Sequence, residues 1–354
     1  MDISKIDKNF ALPSFDGMDL EWYDIEAAPF RIYGVYREGE QFVRMDQATA
    51  KATGEGVFGL SQHTAGGRIR FTTDAHAVAL AAKQNGFMIF PHMTICGTTG
   101  FDMYVGGLFA GTFMPDYQSR KMEGCVAFDH FSWFKKGQMN EILVEFPLYN
   151  DVQKVMIGLP KGSKLDVAKP YAIEKPFVYY GSSITQGGCA SRPGTCYQSY
   201  ISRHFDADYI NLGFSGSGRG ETVIADYMAN LDMSLFVLDY DHNAPNARWL
   251  KNTHEPLFLK IREKHPDVPV LMVSHPAYDP YWLEGRERYA IIEQTYKNAL
   301  ARGDKHVAII DGSAFFEAPF ACDCMVDNVH PTDLGFAFMA KKMIPEIEKL
   351  LKTV

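Results

Sequence analysis

Tyr179-Tyr180-Gly181-Ser182-Ser183-Ile184-Thr185, preceded by Lys175-Pro176-Phe177-Val178, is the stretch on which the reading of this chain turns. The apolar run 177–180 has the length and composition of a short buried strand, and Gly-Ser-Ser ends it at the lip of a loop. A strand that stops there exposes a serine hydroxyl. By default such a serine is only a turn residue, because its short side chain bonds to nearby backbone. What the rest of the sequence sets beside it decides whether it is a nucleophile.

Downstream, apolar segments at 209–212, 235–240, 268–273 and 307–311 alternate with amphipathic stretches at about 195–205, 221–230, 255–264 and 284–301. A last helix is predicted from Thr332, with Phe336, Met339, Met343 and Ile347 on one face and a kink at Pro345. Strand and helix in alternation predict a parallel sheet with helices on both faces. Five strands suit a flavodoxin-like three-layer α/β/α domain, which binds ligands at the carboxyl ends of its strands.

Upstream the pattern changes. Short alternating segments at 30–36, 67–73, 77–81, 101–105, 108–113, 125–128, 141–146 and 155–159 are separated by Gly, Asn and Asp turns, and they predict an antiparallel β-sandwich. The polar stretch 161–170 reads as the exit from it. The expected division is therefore a sandwich domain at 1–170 and an α/β domain at 171–354.

The chain has 354 residues, 46% hydrophobic and 22% charged, which is enough apolar material for two globular cores. A net charge of -8 without any Lys/Arg run argues against a partner that presents a phosphate backbone. There is no apolar run of membrane-spanning length, so no membrane partner is expected. Residues 1–8 are charged and lack the apolar core of a signal peptide, which predicts a cytoplasmic location. Six cysteines in a chain of this size are read as free thiols, with Cys189 and Cys196 the one local pair that export would permit.

Four short blocks fall at predicted strand ends or before the last helix. They are Gly181-Ser182-Ser183-Ile184-Thr185, Asn211-Leu212-Gly213-Phe214-Ser215-Gly216-Ser217-Gly218, Asp239-Tyr240-Asp241-His242-Asn243 and Asp327-Asn328-Val329-His330. In this order they resemble the blocks of the SGNH (GDSL-like) hydrolases. That resemblance covers roughly residues 176–354. It implies Ser183 as nucleophile, His330 as base and Asp327 as its orienting partner. It also implies an oxyanion hole from the backbone N–H groups of Ser183 and Gly216 and the side-chain amide of Asn243, with neither cofactor nor metal. The chemistry needs these types. A serine hydroxyl attacks only once a base takes its proton, the imidazole must be held in one tautomer, and the oxyanion must meet donors already in place.

The match departs from the family in two places. Ser182 stands where the family usually has aspartate, so two serines compete for the nucleophile's place; alignment on Ile184-Thr185 selects Ser183. Asp241 and His242 precede Asn243 where glycine is usual. His242 could touch substrate or line the rim. Arg192 and Glu221 could bind polar groups of the substrate or serve the structure. His275 reads as a satisfied loop histidine. Asp239, Asp241, His242, Asp327 and His330 have no compact ligand spacing, so a metal centre is not expected.

The blocks with Ala190-Ser191-Arg192-Pro193-Gly194, and Gly17-Met18-Asp19-Leu20 with Pro147-Leu148-Tyr149-Asn150, resemble a bacterial subgroup carrying an N-terminal sandwich. Similar two-domain proteins include carbohydrate esterases and an acyltransferase of natural-product assembly. The resemblance implies a serine esterase acting on a small acyl ester, acetyl above all, of a small-molecule or oligosaccharide substrate. Acyl transfer through the same intermediate is the alternative, followed by a carbohydrate-binding protein whose hydrolase domain is inactive.

Overall fold

The computed structural model describes residues 17–114, 125–131, 137–276 and 283–354; the charged segment 1–8 lies outside them. The chain forms two compact units. The first holds residues as far as Arg44, then Gln62–Pro170 and Ser191–Gly194; the second holds Met45–Ser61, Tyr171–Ala190 and Thr195–Val354. Two segments thus depart from a single cut near residue 170.

The first unit is built of antiparallel sheets, as the alternating pattern predicts. One sheet orders the strands Leu20–Asp24, Lys154–Pro160, Val78–Lys83 and Cys125–Phe131. The other runs Leu165–Asp166, Arg68–Thr73, Asn140–Glu145, Phe101–Val105 and Leu108–Phe113, with Arg31–Tyr33 also paired to Arg68–Thr73. The inward alternates of both sheets, among them Leu80, Ile157, Phe71, Met103 and Val144, share one core. This makes a sandwich, in which each strand buries one face.

The second unit holds a five-stranded parallel sheet in the order Ala207–Gly213, Ile173–Gly181, Leu235–Asp239, Val270–Val273, Val307–Ile310. The first strand in sequence lies second in that order, with a neighbour on each side, and is buried on both faces, as parallel strands are. Val178 and Tyr180 enter the larger core with Ile224, Met228, Leu250 and Phe258. Tyr179 faces the other way and meets Tyr197 and Tyr209 edge-on, at 5.7 Å and 6.1 Å between centroids. Of the two helices on that side, Tyr197–Phe205 meets Asp333–Leu351 through Tyr197 and Phe336.

Two helical expectations are corrected. The first half of the sequence is not purely β: helices Gln47–Thr53 and Glu55–Ser61 stand there, and their Ala50 and Val57, with Met45, pack into the α/β core. The helix expected at 255–264 begins eight residues earlier, as Ala247–Lys264, because the side chain of Asn246 caps it by accepting Trp249 N–H. Pro256 near the expected start mimics the preference of proline for a first turn, but it lies in the helix interior. The last helix, Asp333–Leu351, continues through Pro345.

Candidate active site

The sequence sets Ser183 just past the carboxyl end of the strand Ile173–Gly181, where the chain turns into the short helix Ser183–Gln186. Ser182 is the N-cap of that turn, its Oγ accepting Ile184 N–H at 3.1 Å. Serine and aspartate are both strong N-caps, so the residue that departs from the family pattern still supplies a side-chain acceptor for a backbone N–H. The turn is tied down from below. Thr185 Oγ1 and Tyr197 Oη each donate to Asp239 Oδ2 at 3.1 Å, and Asn211 Nδ2 donates to the Thr185 carbonyl at 2.8 Å. Gly181 permits this closeness, since a Cβ there would fall 2.0 Å from Thr185 Oγ1 and 2.2 Å from the Asp239 carbonyl.

Ser183 Oγ lies 2.9 Å from His330 Nε2, and His330 Nδ1 lies 2.9 Å from Asp327 Oδ2. Asp327 Oδ1 also accepts the backbone N–H groups of Val329 and His330, at 2.8 Å and 2.7 Å. Partial burial works to raise the Asp327 carboxyl, but hydrogen bonds from the His330 ring and these two N–H groups outweigh it and hold it at about 2. An ionised carboxylate accepts only, so Nδ1 carries the proton and Nε2 is left to accept from Ser183. A serine, imidazole and carboxylate arranged in this way can take a proton from the hydroxyl as it attacks.

Asn243 ends the short 3-10 turn Asp241–Asn243 after the third strand, and its Nδ2 donates to the Phe214 carbonyl at 2.9 Å. That carbonyl also accepts Ser217 N–H at 2.8 Å and Gly218 N–H at 2.9 Å. Between them Gly216 takes φ +68°, a left-handed conformation natural to glycine, and stands exposed. The second and third blocks are thus fastened to one carbonyl.

Two further groups belong to this edge of the sheet. His242 and His275 stack with centroids 4.1 Å apart. Burial pulls His242 down to about 4, helped by the charges of Arg288 and His330, and pulls buried His275 well below the usual histidine range. Both rings are neutral near pH 7. His275 was legible only as a loop histidine, because its place beside His242, 33 residues earlier, depends on the pairing of neighbouring strands. Asp241 is fully buried; its Oδ2 accepts His275 N–H at 3.2 Å and Arg288 donates to its carbonyl. Burial pushes its carboxyl up to about 6, against the His275 N–H and Arg288.

The remaining candidates have other surroundings. Arg192 belongs to the first unit, where Nη1 meets Asp102 Oδ2 at 2.6 Å and Tyr104 Oη at 2.9 Å, and its guanidinium sits 3.7 Å over Phe109. Asp102 is wholly buried, so this pairing gives Arg192 a structural duty. Glu221 is the half-buried N-cap residue of helix Thr222–Ala229 and makes no side-chain cap bond. Burial raises its carboxyl. Cys96, Cys189, Cys196, Cys322 and Cys324 are free thiols. Among the described residues no helix is long and apolar enough to cross a membrane.

Comparison with known proteins agrees with this architecture. Residues 174–348 match the GDSL-like lipase/acylhydrolase family, and residues 20–165 match the N-terminal domain of SGNH-hydrolase-type esterases. The chain belongs to the SGNH (GDSL-like) hydrolases, in their two-domain form. Similar solved structures include a GDSL-like lipase candidate from Bacteroides ovatus ATCC 8483, 26% identical with TM-score 0.83, covering 94% of this chain and 98% of that one. The salicylyl-acyltransferase SsfX3 of a tetracycline biosynthetic pathway is 18% identical with TM-score 0.76, over 94% and 97% of the two chains. The acetyl xylan esterase Est2A from the rumen bacterium Butyrivibrio proteoclasticus is 10% identical with TM-score 0.63, over 94% and 99%. The latter two share the fold. No curated protein matches the sequence.

Proposed function

We propose that this protein is a serine esterase that removes a small acyl group, acetyl above all, from a hydroxyl of a carbohydrate. The observation that carries the esterase reading is the unbroken chain from Ser183 Oγ through His330 to Asp327, with both links at 2.9 Å. Ser183 Oγ attacks the acyl carbonyl carbon while its proton passes to His330 Nε2. The negative charge on the carbonyl oxygen meets the N–H groups of Ser183 and Gly216 and the amide of Asn243. The intermediate collapses as His330 returns the proton to the departing sugar oxygen. Water, activated by the same imidazole, then frees the acid and restores Ser183. Asp327, ionised above about pH 2, stabilises the imidazolium in both halves. The carbohydrate part of the reading draws on the shared fold with an acetyl xylan esterase.

A panel of acetylated oligosaccharides together with p-nitrophenyl acetate, assayed with wild type and Ser183→Ala, tests the reading. Acetate release that disappears in the variant, with fluorophosphonate labelling lost in parallel, is expected. Equal release from both proteins overturns the reading. Transfer of acyl to an added acceptor alcohol in preference to water would reassign the protein as an acyltransferase.

A further inference from the structure

Beside the loop that carries Gly216, the second unit displays a partly exposed aromatic side chain, Trp249. Trp249 is 41% exposed, yet it is pinned twice. Its backbone N–H is held by the capping side chain of Asn246 at 2.9 Å, and its indole Nε1 donates to the Arg219 carbonyl at 2.7 Å. The guanidinium of Arg219 turns back on the loop, Nε and Nη2 both donating to the Gly216 carbonyl at 3.1 Å and 2.9 Å. Arg219 is itself exposed, and among the described residues its Nη1 makes no hydrogen bond. The loop 214–219 is therefore held at both ends, the Phe214 carbonyl by Asn243 and the Arg219 carbonyl by Trp249, with the Arg219 side chain on the Gly216 carbonyl between them.

A tryptophan left in water gives up much of the stabilisation that burying its large apolar area would bring, about 25 cal/mol per Å². Here its one polar atom is satisfied by backbone, so the ring is fixed in orientation while much of its surface stays open. Such a ring is a preorganised stacking surface, and Arg219 adds an unused donor beside it. A pyranose has the complementary chemistry: C–H groups on a ring face, and a rim of oxygen acceptors.

We propose that Trp249 and Arg219 form a subsite for a pyranose ring of the ester's alcohol part, the ring stacking on the indole and a ring oxygen or hydroxyl accepting from Arg219. This subsite rests on the esterase reading above and names what selects its substrate. It places sugar recognition beside the loop that carries Gly216, one of the three candidate oxyanion donors, so binding of the correct alcohol would brace that loop.

The test compares mono-acetylated xylose, glucose, galactose and mannose glycosides with vinyl acetate, which has no ring to stack. Trp249→Ala is expected to lower kcat/KM on at least one sugar acetate about tenfold or more, through KM, with vinyl acetate changed less than about twofold. Trp249→Phe, which keeps a ring but not the indole N–H, is expected to retain most of the sugar activity. Equal losses on sugar acetates and vinyl acetate would make Trp249 a loop anchor and overturn the subsite. So would undiminished turnover of sugar acetates, or a wild type that cleaves vinyl acetate and none of the glycosides; the esterase reading survives all three. If wild type cleaves no ester at all, that reading fails. The subsite is then judged by titrating xylotetraose and cellotetraose against wild type and Trp249→Ala by calorimetry. Binding lost in the variant upholds it; no binding to wild type, or equal binding to both, ends it.

Discussion

The side-chain amide of Asn243 donates to the carbonyl oxygen of Phe214 at 2.9 Å, joining the loops that follow the second and third strands of the parallel sheet. An amide nitrogen has two hydrogens, so one fixes the side chain and the other is available to a developing oxyanion. Asn243→Ala is expected to lower kcat about 10²- to 10³-fold with a small change in KM, the usual cost of one preorganised donor. Steady-state kinetics on p-nitrophenyl acetate read this directly, and a loss confined to KM would remove Asn243 from the oxyanion role.

The adjacent serines are expected to separate in their roles. Ser183→Ala is expected to abolish labelling by a fluorophosphonate. Ser182→Ala removes only the bond to Ile184 N–H and should cost about 1 kcal/mol of stability while labelling persists. Mass spectrometry of the labelled peptide, with denaturant melts of both variants, checks the pair; a label on Ser182 would reverse the assignment.

Asp327 sits at about 2, below the ordinary aspartate value. A lowered carboxyl favours the folded state when ionised. Its contribution is full above the unfolded value of about 4 and is lost as pH falls through about 2. Its side chain is 41% exposed, so solvent screening reduces the effect to roughly 1 kcal/mol or less. Asp327→Asn should therefore be slightly less stable than wild type at pH 7 and equal to it near pH 2. Its kcat should fall by about 10²- to 10⁴-fold, through loss of the charge that orients and stabilises the imidazole. Urea titrations at the two pH values and initial rates measure both effects.

Asp241 has the opposite sign. Its folded carboxyl is pushed up to about 6, so the folded protein holds this proton more tightly than the unfolded chain, and stability falls as pH rises from about 4 to about 6. Asp241→Asn keeps an oxygen to accept His275 N–H and removes the titration. The variant is expected to gain stability relative to wild type as pH rises across that window. A pH-independent difference between the two proteins would contradict the assignment.

Arg192 answers the wholly buried carboxylate of Asp102. Arg192→Ala is expected to cost about 3 kcal/mol, because it strands a buried charge, while kcat per folded molecule stays close to wild type. A selective rise in KM without loss of stability would restore Arg192 to the substrate site.

The architecture was legible because both units write their burial into local periods: alternation in the first, apolar strands spaced by amphipathic helices in the second. The resemblance of four blocks in order, at strand ends and before the last helix, made Ser183, Asn243, Asp327 and His330 readable together, since an α/β sheet delivers its loops to one edge. Ser183 could be told from Ser182 by the Ile184-Thr185 that follows.

Tertiary structure decided the rest, because a period tells which face is buried but not what covers it. Helices Gln47–Thr53 and Glu55–Ser61 are too short to announce themselves, and Ala50 and Val57 join a core that also holds Leu212 and Phe214, more than 150 residues on. The helix start at Asn246 depended on a cap bond, the duty of Arg192 on a carboxylate 90 residues away, and the stacking of His242 on His275 on neighbouring strands. The sequence by itself determined which residues could do chemistry; the packing of distant segments decided which of them meet, and so which are spent on structure.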